Sequence, residues 1–202
     1  MAEDDNPPCW QAIADYDRIT MAPHAMRGII ATQEVRMQYS GTLIVVREIE
    51  RARAFYEGLL GCEVSMELDV HIAYTNGLSL QAAPSWAAFI ERDPSAISFG
   101  GNDAELYFEE HDLDALLTRL EAFGVELIHS LKEHSWGQRA VRFYDADRHI
   151  IEVGEHLGDV ARRFLAQGMT RDQVAKRMDV PVEMLAVFLE EIERGPVPTV
   201  MK

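Results

Sequence analysis

The sequence predicts an α+β fold in which two fused β-α-β-β-β modules form a curved mixed β-sheet half-barrel, followed by a C-terminal helical extension. The first observation is an internal repeat, since equivalent features recur 64 positions apart, from Glu48 to Asp112. The second is that each copy contains a strand, an acidic helix cap, an amphipathic helix and a glycine stop. The third is a purely helical pattern beyond Glu155. Because one module cannot bury its own sheet face, we expect the functional site on a concave surface between the two.

The first module is predicted over residues 40–83. Its first strand begins near Leu43, and Glu48 stands where a helix cap belongs. The helix that follows carries an apolar face and ends at Gly61. The face consists of Ile49, Ala52, Tyr56 and Leu59. Two later strands are predicted over 72–75 and 78–82.

The second module is predicted over residues 104–155. Asp112 is placed to cap its helix and Gly124 to end it. The helix presents a single apolar face formed by Leu113, Leu116, Leu117 and Leu120. Strands are predicted over 140–144 and 150–153, and the residues between them have the composition of a turn.

The two ends of the chain differ from the modules. Residues 1–38 show no sustained hydrophobic period and predict an irregular N-terminal arm. Either the arm covers a neighbouring subunit, or part of it precedes the true translation start. Residues 156–202 predict a C-terminal helical extension of three helices. Thr170 and Gln173 form a capping box, and Pro181 suits a first helical position. The last helix has an apolar stripe of Met184, Leu185, Phe188 and Ile192.

Composition limits the possible partners. The 202 residues include 19 basic and 34 acidic side chains, a net charge of −15, which is unfavourable for binding nucleic acid. No apolar run is long enough to span a bilayer, and the acidic N-terminus does not resemble a signal peptide. Two cysteines imply no disulfide framework. We expect a cytoplasmic protein without membrane partners.

Three segments resemble a known superfamily. Residues 47–61 read REIERARAFYEGLLG, residues 136–139 read WGQR, and residues 142–153 read RFYDADRHIIEV. Together they resemble the vicinal oxygen chelate superfamily of glyoxalase, bleomycin-resistance and extradiol dioxygenase relatives, over residues 40–155. The resemblance implies a glyoxalase-like fold that binds a small molecule. It leaves open whether the chain is a lyase, isomerase or dioxygenase or a binder without catalysis.

The resemblance also implies metal ligands on the first and last strand of each module. Counting seven residues back from each helix cap gives Gly41 and Glu105, and the last-strand positions are Gln81 and Glu152. Histidine is usual on the first strands, and this chain has Gly and Glu instead. Glu105, Glu152 and Gln81 would suit a hard divalent ion, with His134 as a completing ligand. The alternative is that these residues bind a ligand directly, so we expect no tightly bound cofactor and keep a divalent metal as the other possibility.

The remaining candidate residues follow from strand alternation. The predicted substrate-binding residues are Gln81, Tyr107, Trp136, Arg142 and Tyr144. Arg142 either binds a ligand carboxylate or pairs with Glu105 or Glu152. Those two glutamates are the candidate catalytic residues, as general acid or base. Trp136 is either a lid or a residue of the pocket rim.

The C-terminal extension suggests a rival function. Residues 168–181 look like the first half of a helix-turn-helix, so the alternative is a metal-free ligand binder or sensor with a DNA-reading tail. The segment that follows, 182–193, is apolar and acidic, which does not suit a groove lined by phosphates. We therefore expect the tail to pack on the protein. The predicted partners are a small-molecule ligand and a second copy in a homodimer.

Overall fold

Two four-stranded sheets, one in each module, form the framework of residues 37–194, the part of the chain that a computed structural model describes. The first module contains β1 (Thr42–Val46), β2 (Val64–Leu68), β3 (His71–Tyr74) and β4 (Leu78–Ala82). The second contains β5 (Glu105–Glu110), β6 (Leu127–Glu133), β7 (Arg139–Tyr144) and β8 (Ile150–Glu155). Nearly all of the predicted N-terminal arm, residues 1–36, lies outside the described residues.

The two sheets have the same topology. Their strand orders are β1-β4-β3-β2 and β5-β8-β7-β6. In each sheet the first strand pairs in parallel with the last, and the other neighbours pair antiparallel. Two helices complete the modules, α1 (Ile49–Gly58) and α3 (Leu113–Phe123). The predicted α+β class and the two β-α-β-β-β modules are therefore confirmed.

Helix α3 has the ends that its sequence predicts. The Asp112 carboxylate accepts a hydrogen bond from the backbone N–H of Ala115 at 2.9 Å, and Gly124 ends the helix at φ 75°. Glu48 precedes α1 but makes no such side-chain bond. The linker between the modules contains helix α2 (Ala83–Phe89) and a 3₁₀ turn (Pro94–Ala96), neither of which the sequence pattern predicted.

The two modules share one hydrophobic core. Phe55 of α1 contacts Phe143 of β7, with ring centroids 6.2 Å apart, and Phe123 of α3, at 5.8 Å. Leu116 and Leu120 of α3 are buried in the same cluster, as predicted from their spacing. Helix α1 thus buries its apolar face partly against the other module, which fixes the two halves relative to each other.

Two aspartates of the turn between β7 and β8 connect the modules through hydrogen bonds. The buried Asp145 accepts from the Tyr56 hydroxyl at 2.8 Å and lies 2.8 Å from the His149 ring nitrogen Nδ1. Burial alone would raise the pKa of Asp145, but its bonds to His149, to backbone N–H and to Tyr56 hold that pKa below the ordinary value. Asp147 binds both the backbone N–H and the guanidinium of Arg47.

The C-terminal extension has a small core of its own. It comprises α4 (Leu157–Ala166), α5 (Arg171–Met178) and α6 (Val182–Arg194), and the capping box of Thr170 with Gln173 is present. Leu185 and Phe188 of the predicted stripe are buried among α4 and α5 residues, whereas Met184 is 43% exposed. The predicted stripe is therefore narrower than expected, and the side chain of Ile192 lies outside the described part. No helix within residues 37–194 is long and apolar enough to cross a membrane.

Candidate functional site

One face of the second sheet carries most of the predicted site residues, and we call it the open face. Leu106 and Phe108 pack against the core, so the alternation of β5 places Glu105 and Tyr107 on the opposite face. Register places Glu152 of β8 beside Tyr107 and beside Arg142 of β7. Strands β5, β8 and β7 therefore present adjacent polar side chains on the open face.

Arg142 forms ion pairs with both predicted catalytic glutamates. Its Nε lies 2.8 Å from a Glu105 carboxylate oxygen, and its other guanidinium nitrogen NH2 contacts the Glu152 carboxylate. Its NH1 also lies 3.4 Å from Nε2 of His129. The Glu152 side chain is 6% exposed and that of Glu105 is 38% exposed. Of the two alternatives for Arg142, the structure shows the paired one, with the guanidinium neutralising the buried carboxylate.

A second group on the open face surrounds Tyr107. The Gln138 amide nitrogen donates to the Tyr107 hydroxyl at 2.8 Å and to the Glu155 carbonyl at 2.9 Å. The Trp136 indole N–H donates to the Gln138 carbonyl oxygen at 3.2 Å. Gly154 makes room for this arrangement, because a Cβ there would lie 2.7 Å from the Gln138 amide nitrogen. The buried Gln138 thus orients two of the predicted substrate-binding residues, and the sequence pattern did not single it out.

The other two predicted residues of the second module, His134 and Tyr144, lie near opposite ends of β7. The His134 ring stacks on Trp136, with centroids 4.3 Å apart, in the turn between β6 and β7. Tyr144 donates its hydroxyl to Asn102 at 3.0 Å, and the Arg148 guanidinium lies 4.0 Å above its ring. These contacts tie Tyr144 to the end of the sheet rather than to Arg142.

Gln81 belongs to a separate polar group in the first module. Its carbonyl oxygen lies 2.9 Å from Nδ1 of His71, and its amide nitrogen contacts the Ser85 hydroxyl of α2. Helix α2 therefore buries Gln81, which is 2% exposed. Gln81 therefore bonds to the first module and to the linker helix α2, whereas Glu105, Arg142 and Glu152 pair with one another within the second module.

Pairing register shows that two positional expectations are inconsistent with each other. Gln81 pairs with Val45, whereas Glu152 pairs with Tyr107. If Gln81 is the counterpart of Glu152, the counterpart of Glu105 is Leu43, two residues before Val45. If Gly41 is the counterpart of Glu105, as counting from the helix caps predicts, then Leu43 corresponds to Tyr107, and its partner Ser79 corresponds to Glu152. Neither Leu43 nor Gly41 has a metal-binding side chain.

A family model described as a Glyoxalase-like domain matches residues 39–158, more than half of the chain. The chain belongs to the Glyoxalase-like domain family. This places it in the vicinal oxygen chelate superfamily, as its motifs indicated.

Solved structures share the fold of this Glyoxalase-like protein. A protein of unknown function from Agrobacterium tumefaciens is 36% identical, over 59% of this chain and 94% of that one, with a TM-score of 0.55. A glyoxalase-related enzyme from Fulvimarina pelagi is 18% identical over 59% of this chain and 88% of its own, with a TM-score of 0.52. A glyoxalase/bleomycin resistance protein/dioxygenase family enzyme from Burkholderia phytofirmans is 18% identical over 57% and 96%, with a TM-score of 0.51. No curated protein sequence matches the chain.

The residues of this Glyoxalase-like protein do not fit a divalent metal at the family's expected position. Glu105 and Glu152 both bind the Arg142 guanidinium, whose positive charge would repel a cation between them. The Gln81 carbonyl oxygen is bonded to His71, and neither Gly41 nor Leu43 has a side chain that could bind a metal. The two carboxylates of the second sheet that could bind a metal are therefore already paired with the Arg142 guanidinium.

Another group of possible ligands lies where α4 begins. Nitrogen and oxygen atoms of His111, His156 and Asp159 lie within 4.8 Å of one another. Nδ1 of His156 accepts a bond from the backbone N–H of Gly158, and Nδ1 of His111 lies 2.5 Å from the Asp159 carboxylate. The positive end of the α4 dipole disfavours a cation here. His156 caps α4, and His111 and Asp159 pair with each other beside it.

Proposed function

We propose that the protein binds a small organic molecule on the open face of the second sheet, without a metal at the family's position. The observation that carries this proposal is the Arg142 guanidinium, which pairs with both Glu105 and Glu152. Its positive charge would repel a metal ion between these carboxylates. The family and the shared fold support a small-molecule site in this region. The catalytic roles of Glu105 and Glu152 stay a prediction.

The charge of this group and the aromatic rings of Tyr107 and Trp136 favour a flat ligand that carries a cationic or hydrogen-bond-donating group. Two carboxylates surround one guanidinium, so the group keeps a net negative charge, and Glu105 is the member that solvent reaches. Tyr107 pairs with Glu152 across the sheet, and Gln138 links the Tyr107 hydroxyl to the Trp136 indole, so two aromatic rings are available to a ligand. Apolar area with a few convergent polar groups is typical of small-molecule sites, and aromatic faces attract cations.

A pair of simple aromatic probes tests this function. Benzamidine carries a flat cation, and benzoate is a matched anion of similar size. In an NMR titration of the full chain we expect benzamidine to shift amide signals of β5, β7 and β8, and benzoate to leave them unchanged. Glu105→Gln should weaken benzamidine binding by about tenfold, since it removes a charge-assisted contact. Glu121→Gln, on the exposed side of α3, serves as the control.

The outcomes separate the two parts of the proposal. Binding of benzamidine that EDTA abolishes would contradict the metal-free site. A preference for benzoate would reverse the ligand class, because Arg142 would then be available to an anion. Shifts confined to the first module would move the site away from the open face.

We also propose that the chain forms a homodimer through the first sheet. Register places Leu43, Met66 and Leu68 on the same face of that sheet, and each is 37% to 57% exposed. Exposed apolar side chains on β1 and β2 of this sheet favour association, and two copies can cover each other's side chains around a two-fold axis. Sedimentation equilibrium should give a dimer that Leu68→Lys dissociates. A monomer at a protein concentration of ~100 µM, far above the Kd of a stable dimer, would contradict this proposal.

A further inference from the structure

The turn between β6 and β7, residues 134–138, connects the C-terminal extension to the open face. The turn is closed by bonds from the His134 N–H to the Gln138 carbonyl at 2.8 Å and from the Gly137 N–H to the His134 carbonyl at 2.9 Å. It carries Trp136 and ends at Gln138, whose amide holds the Tyr107 hydroxyl. The position of this turn therefore decides where two predicted ligand-binding rings lie.

Two arginines of the extension donate to backbone carbonyls of the turn. Arg163 of α4 donates to the Gly137 carbonyl at 2.6 Å, and Arg177 of α5 contacts the Ser135 carbonyl. Both also pair with Glu133 at the end of β6, at 3.3 Å and 2.9 Å respectively. These bonds fix the backbone of the turn, whatever side chains it carries.

Phe164 of α4 packs against the same turn. A Cβ at Gly137 would lie 2.3 Å from the Phe164 ring, so only glycine allows this approach, and φ of +93° at Gly137 also favours glycine. The guanidinium groups of Arg163 and Arg177 lie 4.9 Å and 5.3 Å from the centre of the same ring. The turn is thus held by hydrogen bonds on two carbonyls and by an aromatic ring.

We infer that the C-terminal extension sets the position of the 134–138 turn and thereby controls ligand affinity at the open face. Arg177 and Arg163 are the positioning residues. This inference rests on the proposed function for its ligand, but not for its structural part. Arg163 also binds the buried Glu155, so its loss would destabilise the fold. The ion pair of Arg177 with Glu133 is 35% and 40% exposed, so the loss of Arg177 should release the turn while the protein stays folded.

The test compares Arg177→Ala with Lys176→Ala in the full chain. Lys176 is the exposed neighbour on the same helix, so its removal changes charge equally without touching the turn. Hydrogen exchange should rise at least tenfold at the His134 and Gly137 amides in Arg177→Ala, and stay unchanged in α3. The Kd of benzamidine should rise at least fivefold. Arg177→Lys, which keeps a donor, should recover part of both effects, and Lys176→Ala should show neither.

The exchange and affinity results together decide whether the extension controls the turn and the ligand site. Unchanged exchange in the turn of Arg177→Ala would overturn the inference. Faster exchange with unchanged benzamidine affinity would show that the turn moves without affecting ligand, which would also overturn it. If the unaltered protein binds no benzamidine, the proposed ligand class fails, and the exchange data still decide whether the extension holds the turn. Should Arg177→Ala unfold, an intermediate effect of Arg177→Lys on exchange would support the inference, and no effect would contradict it.

Discussion

Replacing Glu155 by Gln should destabilise the protein more than any other single charge removal at the junction with the extension. The Glu155 side chain is 3% exposed and accepts four hydrogen bonds from two arginines. Arg139 donates at 3.0 Å and 2.8 Å, and Arg163 at 3.1 Å and 2.8 Å. Both guanidinium groups bind through two nitrogens, which is the strongest geometry for such a pair.

The expected loss in the free energy of unfolding follows from these contacts. Glutamine has one accepting oxygen, so the Nε2 group would face guanidinium N–H groups and two of the four bonds would be lost. Breaking a buried ion pair by removing one partner costs about 3–5 kcal/mol. Arg139 and Arg163 are 35% and 25% exposed, so water compensates part of this. We therefore expect a loss of about 2–3 kcal/mol at pH 7.

The pH dependence supplies an independent check. Burial alone would raise the pKa of Glu155, but the two arginines hold that pKa below its ordinary value of 4.5. A carboxyl with a lowered folded pKa stabilises the protein fully above the unfolded pKa, and this stabilisation is lost as pH falls through the folded value. The difference between the two proteins should therefore be complete at pH 7 and shrink below about pH 4.

Urea unfolding followed by circular dichroism measures both effects. Glu133→Gln is the matched control, because Glu133 pairs with Arg163 and Arg177 but is 40% exposed, and its removal should cost less than about 1 kcal/mol. A difference below about 0.5 kcal/mol for Glu155→Gln at pH 7 would refute the reasoning, as would one that stays constant down to pH 3.

Three further changes test the fold. Gly154→Ala should cost about 1–3 kcal/mol in urea unfolding, because its Cβ would lie 2.7 Å from Gln138, whereas Gly58→Ala, with nothing within 4 Å, should be neutral or stabilising. Asp145→Asn should lower the free energy of unfolding at pH 7. Because the folded pKa of Asp145 is lowered, this difference should disappear as pH falls below the ordinary pKa of 3.8. Equal unfolding midpoints at pH 7 would contradict this. Asp112→Ala should cost about 1 kcal/mol through loss of the α3 cap, and an unchanged thermal midpoint would show that the cap contributes nothing.

Local patterns in the sequence were sufficient for most helices and strands. The cap at Asp112, the stop at Gly124 and the leucine spacing between them determine α3, because each acts within a few turns of one helix. The capping box at Thr170 likewise marks the start of α5. Helix α2 was missed, since it is short and packs beside β4 through contacts that no periodicity records.

Alternation alone placed Glu105, Arg142 and Glu152 on one face, because successive side chains of a strand point to opposite sides. Which residues face each other across strands was decided only by the tertiary structure. Pairing register joins segments far apart in sequence, and it shows that Gly41 and Gln81 cannot both be the counterparts of Glu105 and Glu152. The choice of Arg142 between a ligand and its glutamate neighbours also depended on burial, which the tertiary structure sets.

Local spacing and motifs were sufficient to predict the duplicated modules, the superfamily and the helical character of the extension. They did not indicate that the extension would bind the turn that carries Trp136. That contact needs Arg163 and Arg177, on two helices, to reach carbonyls of a turn that lie 26 and 42 positions earlier in the chain. Backbone acceptors leave no signature in a sequence, because every residue has a carbonyl, so only the folded chain reveals which ones are used.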